Sequence, residues 1–234
     1  EKYRKLNDVD ELIDVEVNLD LIDELEDSEK KSLLWLFVKD SGSTCSSVNS
    51  ELIDSVTKNL QALYAGQKLE DGWCEFYFYA YSGKKFSTVV ADVLKNYENV
   101  VFELGTSKDN RFEHYFYKLY PSELELLQMK SASIIAELIK ESDNIAAERE
   151  VEHYMLFQTP ASKERFKSSG KFEIKEEFEE QGDYCYGVVT LQKHSMLEDV
   201  VREKVSELYE IALQEHARYE LWSTTLAQKD KTNE

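Results

Sequence analysis

Residues 70–81 read Glu-Asp-Gly-Trp-Cys-Glu-Phe-Tyr-Phe-Tyr-Ala-Tyr, and this stretch decides how the first half of the chain is laid out. Asp71-Gly72 between extended runs signals a hairpin, because both central positions of a tight two-residue turn take positive φ. The aromatic run after it is strand-forming and sends its side chains alternately to two faces. Upstream, Leu52, Ile53, Val56, Leu60, Leu63 and Tyr64 recur at helical spacing, with Asn49 or Ser50 placed to cap the helix and Gly66 to end it. Before that helix, Leu34-Trp35-Leu36-Phe37-Val38 reads as a buried strand. Downstream, Phe86, Val89, Val90, Val93, Leu94 and Tyr97 form a second amphipathic stripe, and residues 100–104 another strand. The order is β-α-β-β-α-β.

A helical bridge follows. Asp109 can cap a segment presenting Phe112, Tyr115, Phe116 and Leu119, which Pro121 interrupts. Ser122 and Glu125 have capping-box spacing. The stripe from Leu124 through Leu127, Ile135 and Leu138 then predicts a connecting helix that runs to Ser142-Asp143-Asn144.

The second half repeats the pattern. Residues 151–158 read as a strand. Thr159-Pro160 opens a helix that Gly170 closes. Phe172, Ile174 and Phe178 are expected on one face of the next strand, with Lys171, Glu173, Lys175 and Glu177 on the other. A turn at Gln181-Gly182 leads to a strand over 184–192. Ser195 and Glu198 suggest a second capping box, ahead of Leu197, Val201, Val205, Leu208 and Ala212. Residues 219–227 read as the last strand.

The expected fold is therefore α+β: two tandem ferredoxin-like (βαββαβ) domains, each an antiparallel sheet with its helices on one face. The expected division is an acidic N-terminal segment over 1–32, a first domain over 33–121, a connecting helix over 122–144, a second domain over 145–228 and a tail over 229–234. The opening segment holds eleven acids and no base between residues 6 and 29, yet aliphatics are interleaved. Val15, Val17, Leu19 and Leu21 alternate like a strand, while Leu21, Ile22 and Leu25 fit a helix turn, so a strand or helix docked on the first domain is expected.

Across its 234 residues the chain is 42% hydrophobic, too apolar for disorder, and its net charge is −19. That acidity argues against nucleic acid or an anionic membrane as a direct partner. No apolar run approaches the roughly 20 residues that span a bilayer. No charged start followed by an apolar stretch is visible, which predicts no signal peptide and a cytoplasmic setting. Cys45, Cys74 and Cys185 lack CxxC spacing and are expected as three reduced thiols.

Catalytic signatures are missing from the sequence: no GxGxxG, Walker A, HExxH, GxSxG or EF-hand loop. His114, His153, His194 and His216 share no metal-binding spacing and read as ordinary surface or half-buried histidines. Neither a catalytic residue, a metal nor a cofactor is expected. The sharpest enzymatic option is a Cys185–His153 dyad on neighbouring strands, set against acids that would hold the thiol protonated. The aromatics of 73–81 suit sheet packing first, and a contact surface for a partner or the other domain second.

Residues 134–138 (Ile-Ile-Ala-Glu-Leu), Val151-Glu152-His153-Tyr154, the helix of 200–212 and Tyr219-Glu220-Leu221-Trp222 resemble the family of protein regulators of ribonuclease E activity, B type. That family usually shows Tyr-Asp-Gly-Trp where Glu220-Leu221 stands here between Tyr219 and Trp222. Residues 73–80 and His114-Tyr115 through Leu119-Tyr120-Pro121 resemble a domain of unknown function (family 695) that is often fused before such a regulator domain. The resemblance implies a bacterial cytoplasmic protein that acts by binding and not by chemistry. The leading expectation is thus a non-enzymatic acidic regulator of a ribonuclease or other basic nucleic-acid-processing enzyme. Glu173, Glu176, Glu177, Glu179, Glu180 and Asp183 are the candidate partner contacts. An immunity protein for a nuclease toxin, and a sensor or enzyme using the cleft between domains, are the alternatives. A homodimer through an exposed sheet edge or aromatic face is a further option.

Overall fold

The computed structural model describes residues 1–7, 11–39 and 44–227, of which 44–47 are described by backbone alone. The chain divides into two compact units, Glu1–Pro121 and Ser122–Glu234.

In the first unit the acidic opening is part of the sheet. Strands β1 (Lys2–Leu6) and β2 (Leu12–Val17) pair antiparallel, and α1 (Leu21–Leu25) buries Leu21 and Leu25. The expected core follows as β3 (Ser32–Lys39), α2 (Thr44–Leu60), β4 (Leu63–Glu70), β5 (Trp73–Ala80), α3 (Phe86–Leu94) and β6 (Phe102–Lys108). The strand order is β1-β2-β4-β5-β3-β6. Its last four members are the βαββαβ arrangement of a ferredoxin-like sheet, and β2 occupies the edge that β4 would otherwise leave open. Asp71 and Gly72 make the β4–β5 turn with φ of 51° and 73°.

Two details differ from the sequence reading. Helix α2 starts at Thr44, before Asn49, and ends at Leu60, with Gln61 taking φ 50°. Leu63, Tyr64 and Gly66 already belong to β4, where their helical spacing to Leu60 is coincidental and Gly66 borders a register shift. Cys74 is disulfide-bonded while Cys185 is a free thiol, so the expectation of three reduced cysteines does not hold. Sequence spacing is blind to which cysteines a fold brings together.

Leu34, Leu36, Val38, Phe76 and Phe78 pack against Leu52, Val56, Val90 and Val93 of the helices. The odd-numbered residues of β5 point the other way, and chain from beyond β6 closes over them. The Tyr79 hydroxyl donates to Asp109 Oδ2 at 2.7 Å and accepts from the Tyr115 amide at 3.2 Å. Asp109 also accepts from the amides of Glu113 and His114, capping the π-helical turn Tyr115–Leu119. The Tyr115 hydroxyl reaches the Asn18 carbonyl, and the Tyr3 hydroxyl the Leu119 carbonyl.

The second unit opens with α4 (Glu123–Lys140), whose Ser122–Glu125 capping box forms. Leu127, Ile135 and Leu138 of this helix belong to the core of the second unit, so α4 is packed structure as well as connection. It is followed by β7 (Arg149–Phe157), α5 (Pro160–Ser168), β8 (Glu173–Glu179), β9 (Tyr186–His194), α6 (Glu198–Gln214) and β10 (Ala217–Thr224). The order β10-β7-β9-β8 is the second ferredoxin-like sheet. Ser195 does not cap α6: Leu197 stands at the N-cap, without a side-chain bond. Among the described residues no helix is long and apolar enough to cross a membrane.

A buried ion pair fastens the chain before β7 to the chain after β10. The Arg149 guanidinium meets the Asp143 carboxylate with two bonds of 2.7 Å, and donates to the carbonyls of Asn144 and Thr225. Asp143 also accepts from the Ala227 amide. These partners hold its carboxyl below the ordinary carboxylate range, the Arg149 bonds contributing most. Breaking one side of such a pair strands a buried charge. Asp143→Ala is therefore expected to lower unfolding free energy by about 3–5 kcal/mol in urea titrations. Glu137→Ala, which removes an exposed pair with Lys140, is expected to cost under about 1 kcal/mol.

Candidate functional site

The acidic strand is an edge strand, and its local geometry sets which acids face solvent unpaired. Pairing of β8 with β9 shifts register between Ile174 and Glu176, leaving Lys175 as the extra residue of a bulge. The alternation expected from sequence is thereby inverted halfway along. Ile174 lies opposite Thr190, and beyond the bulge Glu177 and Glu179 lie opposite Val188 and Tyr186, so these three share the helix-bearing face. Glu173, Glu176 and Phe178, opposite Leu191, Val189 and Gly187, share the other. Ile174 and Phe178 are thus on different faces, contrary to the sequence reading.

The bulge changes the electrostatics residue by residue. Glu177 is turned toward α5, where Lys163 reaches it at 2.6 Å and Lys167 binds its other oxygen. Lys163 and Lys167 together keep the Glu177 carboxyl below its usual range. Lys175 pairs across the sheet with Glu152 of β7. Glu173, Glu176, Glu179, Glu180 and Asp183 are exposed, with no ion pair among the described residues. The Glu180 amide donates to the Cys185 carbonyl at 2.9 Å and closes the turn that carries Asp183. Of the six expected contacts, five form a free acidic rim and Glu177 is neutralised.

The same side of the sheet carries an apolar floor. Leu156 and Val189 are 2% and 3% exposed although they alternate away from the helix-side core. The tip of the Phe178 ring covers Gly187, where a Cβ would sit 2.3 Å from it, so a larger residue there would have to push the ring aside. Tyr154 and Leu191 stand half-buried on this face.

The Cys185–His153 dyad does not form. His153 pairs with Thr190, five residues along from Cys185, a separation of about 17 Å at strand rise. Instead His153 faces the helices, is fully buried, and has two other partners. His194 Nδ1 lies 2.8 Å from the Ser195 carbonyl, which can only accept, so Nδ1 of His194 carries a proton. Its Nε2 then accepts from Nε2–H of His153 at 3.4 Å, and His153 Nδ1 accepts the Tyr219 hydroxyl at 2.9 Å. The chain runs one way, from Tyr219 to Ser195, with both rings neutral. Burial first, then the proximity of His194 and Lys204, push His153 down to about 3.

Beside it, Trp222 Nε1 donates to Ser131 Oγ of α4 at 2.9 Å. The sequence did carry a signal for this cluster: His153 is in phase with Val151, Met155 and Phe157, and Tyr219 and Trp222 are the kept positions of the family-like Tyr-x-x-Trp. Of the other histidines, His114 stacks on Tyr77 at 4.1 Å, and His216 takes positive φ in the turn before β10. Among the described residues no three His, Cys, Asp or Glu side chains could hold a metal ion.

Comparison with known proteins places a match in each unit. Residues 128–224 match the family model "Regulator of ribonuclease activity B", and residues 40–120 match "Family of unknown function (DUF695)". The two-domain arrangement that the residues resembled is the one these matches show. A search of the curated proteins finds no match. Among solved structures, one described as "putative glycine cleavage system transcriptional repressor" is 8% identical, with 85% of this chain and 98% of that chain covered, at a TM-score of 0.24. An unknown protein from Galdieria sulphuraria is 12% identical, with 83% and 99% covered, also at 0.24.

The histidine chain generates a pH dependence. His153 is depressed below the ordinary value of 6.5, so the unfolded chain takes up the proton first and stability falls as pH drops. Between pH 6.5 and 5 the fall in unfolding free energy from His153 is expected to steepen from about 0.7 toward about 1.4 kcal/mol per pH unit. His153→Gln, followed by urea unfolding at stepped pH, is expected to lose about one proton's worth of that slope.

Proposed function

We propose that this chain is a non-enzymatic regulator that binds a ribonuclease, or another basic nucleic-acid-processing enzyme, through the acidic rim of its second unit. The match of residues 128–224 to a regulator of ribonuclease activity carries this reading. The rim supports it with Glu173, Glu176, Glu179, Glu180 and Asp183 arrayed unpaired along one edge strand and its turn. Unpaired carboxylates of one sign raise the encounter rate with a cationic surface and orient it. Affinity needs desolvated anchors as well. Phe178 and Tyr154, half-buried on the face that Glu173 and Glu176 border, supply them.

Glu177 is excluded from the contact set because Lys163 and Lys167 already satisfy it; its role is to hold α5 against the edge strand. The partner is a protein, and neither nucleic acid nor a membrane is contacted directly.

The test is capture of the ribonuclease of the source organism by the full chain, with its cleavage of RNA measured in parallel. Binding is expected to weaken as salt rises and to fall about ten- to a hundredfold when Glu173, Glu176, Glu179, Glu180 and Asp183 are changed to Gln or Asn. Glu177→Gln is expected to leave binding within about twofold and to lower the melting temperature slightly. A five-residue variant that binds and modulates the ribonuclease like the wild type would refute the rim as the contact.

A further inference from the structure

Two open sheets have four edges, and three of these are guarded. β1 carries Lys2, Arg4 and Lys5, β8 is bulged and acidic, and β10 shifts register between Tyr219 and Leu221. Charges and bulges of this kind keep an edge from pairing further. The fourth edge, β6, has neither proline nor register shift, and only Glu103 and Lys108 are charged. Among the described residues no strand lies beyond it.

The ladder fixes which backbone groups this edge offers. The Lys39 amide donates to the Val101 carbonyl at 2.9 Å, and the Asp109 amide to the Lys31 carbonyl at 3.0 Å. In an antiparallel pair, hydrogen-bonded positions alternate with open ones. The odd-numbered residues of β6 are therefore bonded to β3, while Phe102, Leu104 and Thr106 turn their N–H and C=O groups outward.

The side chains select what pairs there. Leu104, opposite Leu36, packs on the helix-side core. Glu103, Gly105 and Ser107 lie on the other face, opposite Phe37, Trp35 and Leu33. Above Gly105 the space belongs to Trp35, whose indole a Cβ would meet at 2.3 Å. The half-buried ring thus extends over the last strand to the margin of the sheet. Beside it Glu103 is exposed, with no ion pair among the described residues. Lys39 and Lys31, at the two ends of β3, are engaged over the rings of Trp73 at 5.6 Å and Phe112 at 3.9 Å. An uncompensated carboxylate next to an aromatic ring at an open edge favours a strand that brings a cation. An arginine opposite Gly105 lays its stem on the indole, and its guanidinium reaches Glu103, a diagonal neighbour. A second copy of β6 does not supply this. A two-fold antiparallel pairing through the outward groups sets even residues against even and odd against odd, and the odd positions of β6 hold no base.

We propose that β6 is a docking edge for an extended basic segment of a partner protein, which adds as a further strand with an arginine opposite Gly105. The edge lies in the first unit and uses nothing of the acidic rim.

The experiment titrates the full chain with the peptide acetyl-Thr-Val-Thr-Arg-Thr-Val-Thr-amide and follows amide chemical shifts. Two control peptides replace the arginine by glutamate, or keep it and carry N-methyl groups at alternate residues, which preserves charge and blocks strand pairing. A saturable response centred on residues 101–108 is expected, and neither control is expected to bind within tenfold of the parent peptide. Glu103→Gln, an exposed change, is expected to weaken binding about two- to fivefold. The variant lacking the five rim acids is expected to bind the peptide like the wild type. Equal binding of either control peptide, a response centred on residues 173–183, or binding unaltered by Glu103→Gln would overturn the proposal. A free protein that is already dimeric, with amides of 102–106 protected from exchange, would give the edge to a second copy and overturn it too.

Discussion

An antiparallel sheet that carries its helices on one side must still keep water off the apolar side chains that alternate onto the other. Both units meet that constraint, by different means. In the first, Tyr77 and Tyr79 are covered by chain returning from β6, and the Tyr79 hydroxyl is the pivot. It donates to Asp109 and accepts from Tyr115, so one phenol fixes the entry to the π-helical turn and the residue that reaches back to Asn18. In the second, the covering is made by the sheet's own side chains, with Phe178 laid over Gly187 and Lys175 tied to Glu152. A face closed so thinly remains a surface with apolar content at its centre and charge at its border.

Much of this was legible in the residues, and the failures have local causes. The Asp71-Gly72 turn, the two βαββαβ runs and the Ser122–Glu125 box depend on short-range stereochemistry, which sequence records directly. The end of α2 was misplaced because Leu60, Leu63 and Tyr64 keep a helical interval across a residue, Gln61, whose left-handed backbone nothing in its type announces. The bulge at Lys175 was invisible for a related reason. In a run of charged residues no apolar phase marks the skipped position, so strict alternation was the default. The His153–Cys185 pairing failed on register, since two residues on adjacent strands can share a sheet and still lie at opposite ends of it.

Net charge alone is a poor guide to which acids are available. Lys and Arg total 28 against 47 acids, so many carboxylates are neutralised by neighbours and only geometry tells which. The bulge is what separates Glu177 from Glu176: one residue of extra chain turns the first toward the lysines of α5 and the second to the open side. The same residue count without a bulge would reverse their roles. An edge strand lined by charge and bent by a bulge is also poorly suited to pairing with another strand, so its side chains, rather than its backbone, are what it presents.

Polar bonds between elements tie the interior of the second unit together. In the second, Arg149 and Asp143 share matched bonds, Tyr219, His153, His194 and the Ser195 carbonyl form one directed chain, and Trp222 donates to Ser131. These bonds run between α4, β7, β9, β10 and the flanking loops, so the interior of this unit is specified as one arrangement and its exposed rim is held on a rigid support. Among the described residues each unit still keeps three buried polar atoms without a hydrogen-bond partner: Thr57 Oγ1, Tyr64 Oη and His114 Nε2 in the first, and Thr190 Oγ1, Gln192 Oε1 and Glu220 Oε1 in the second.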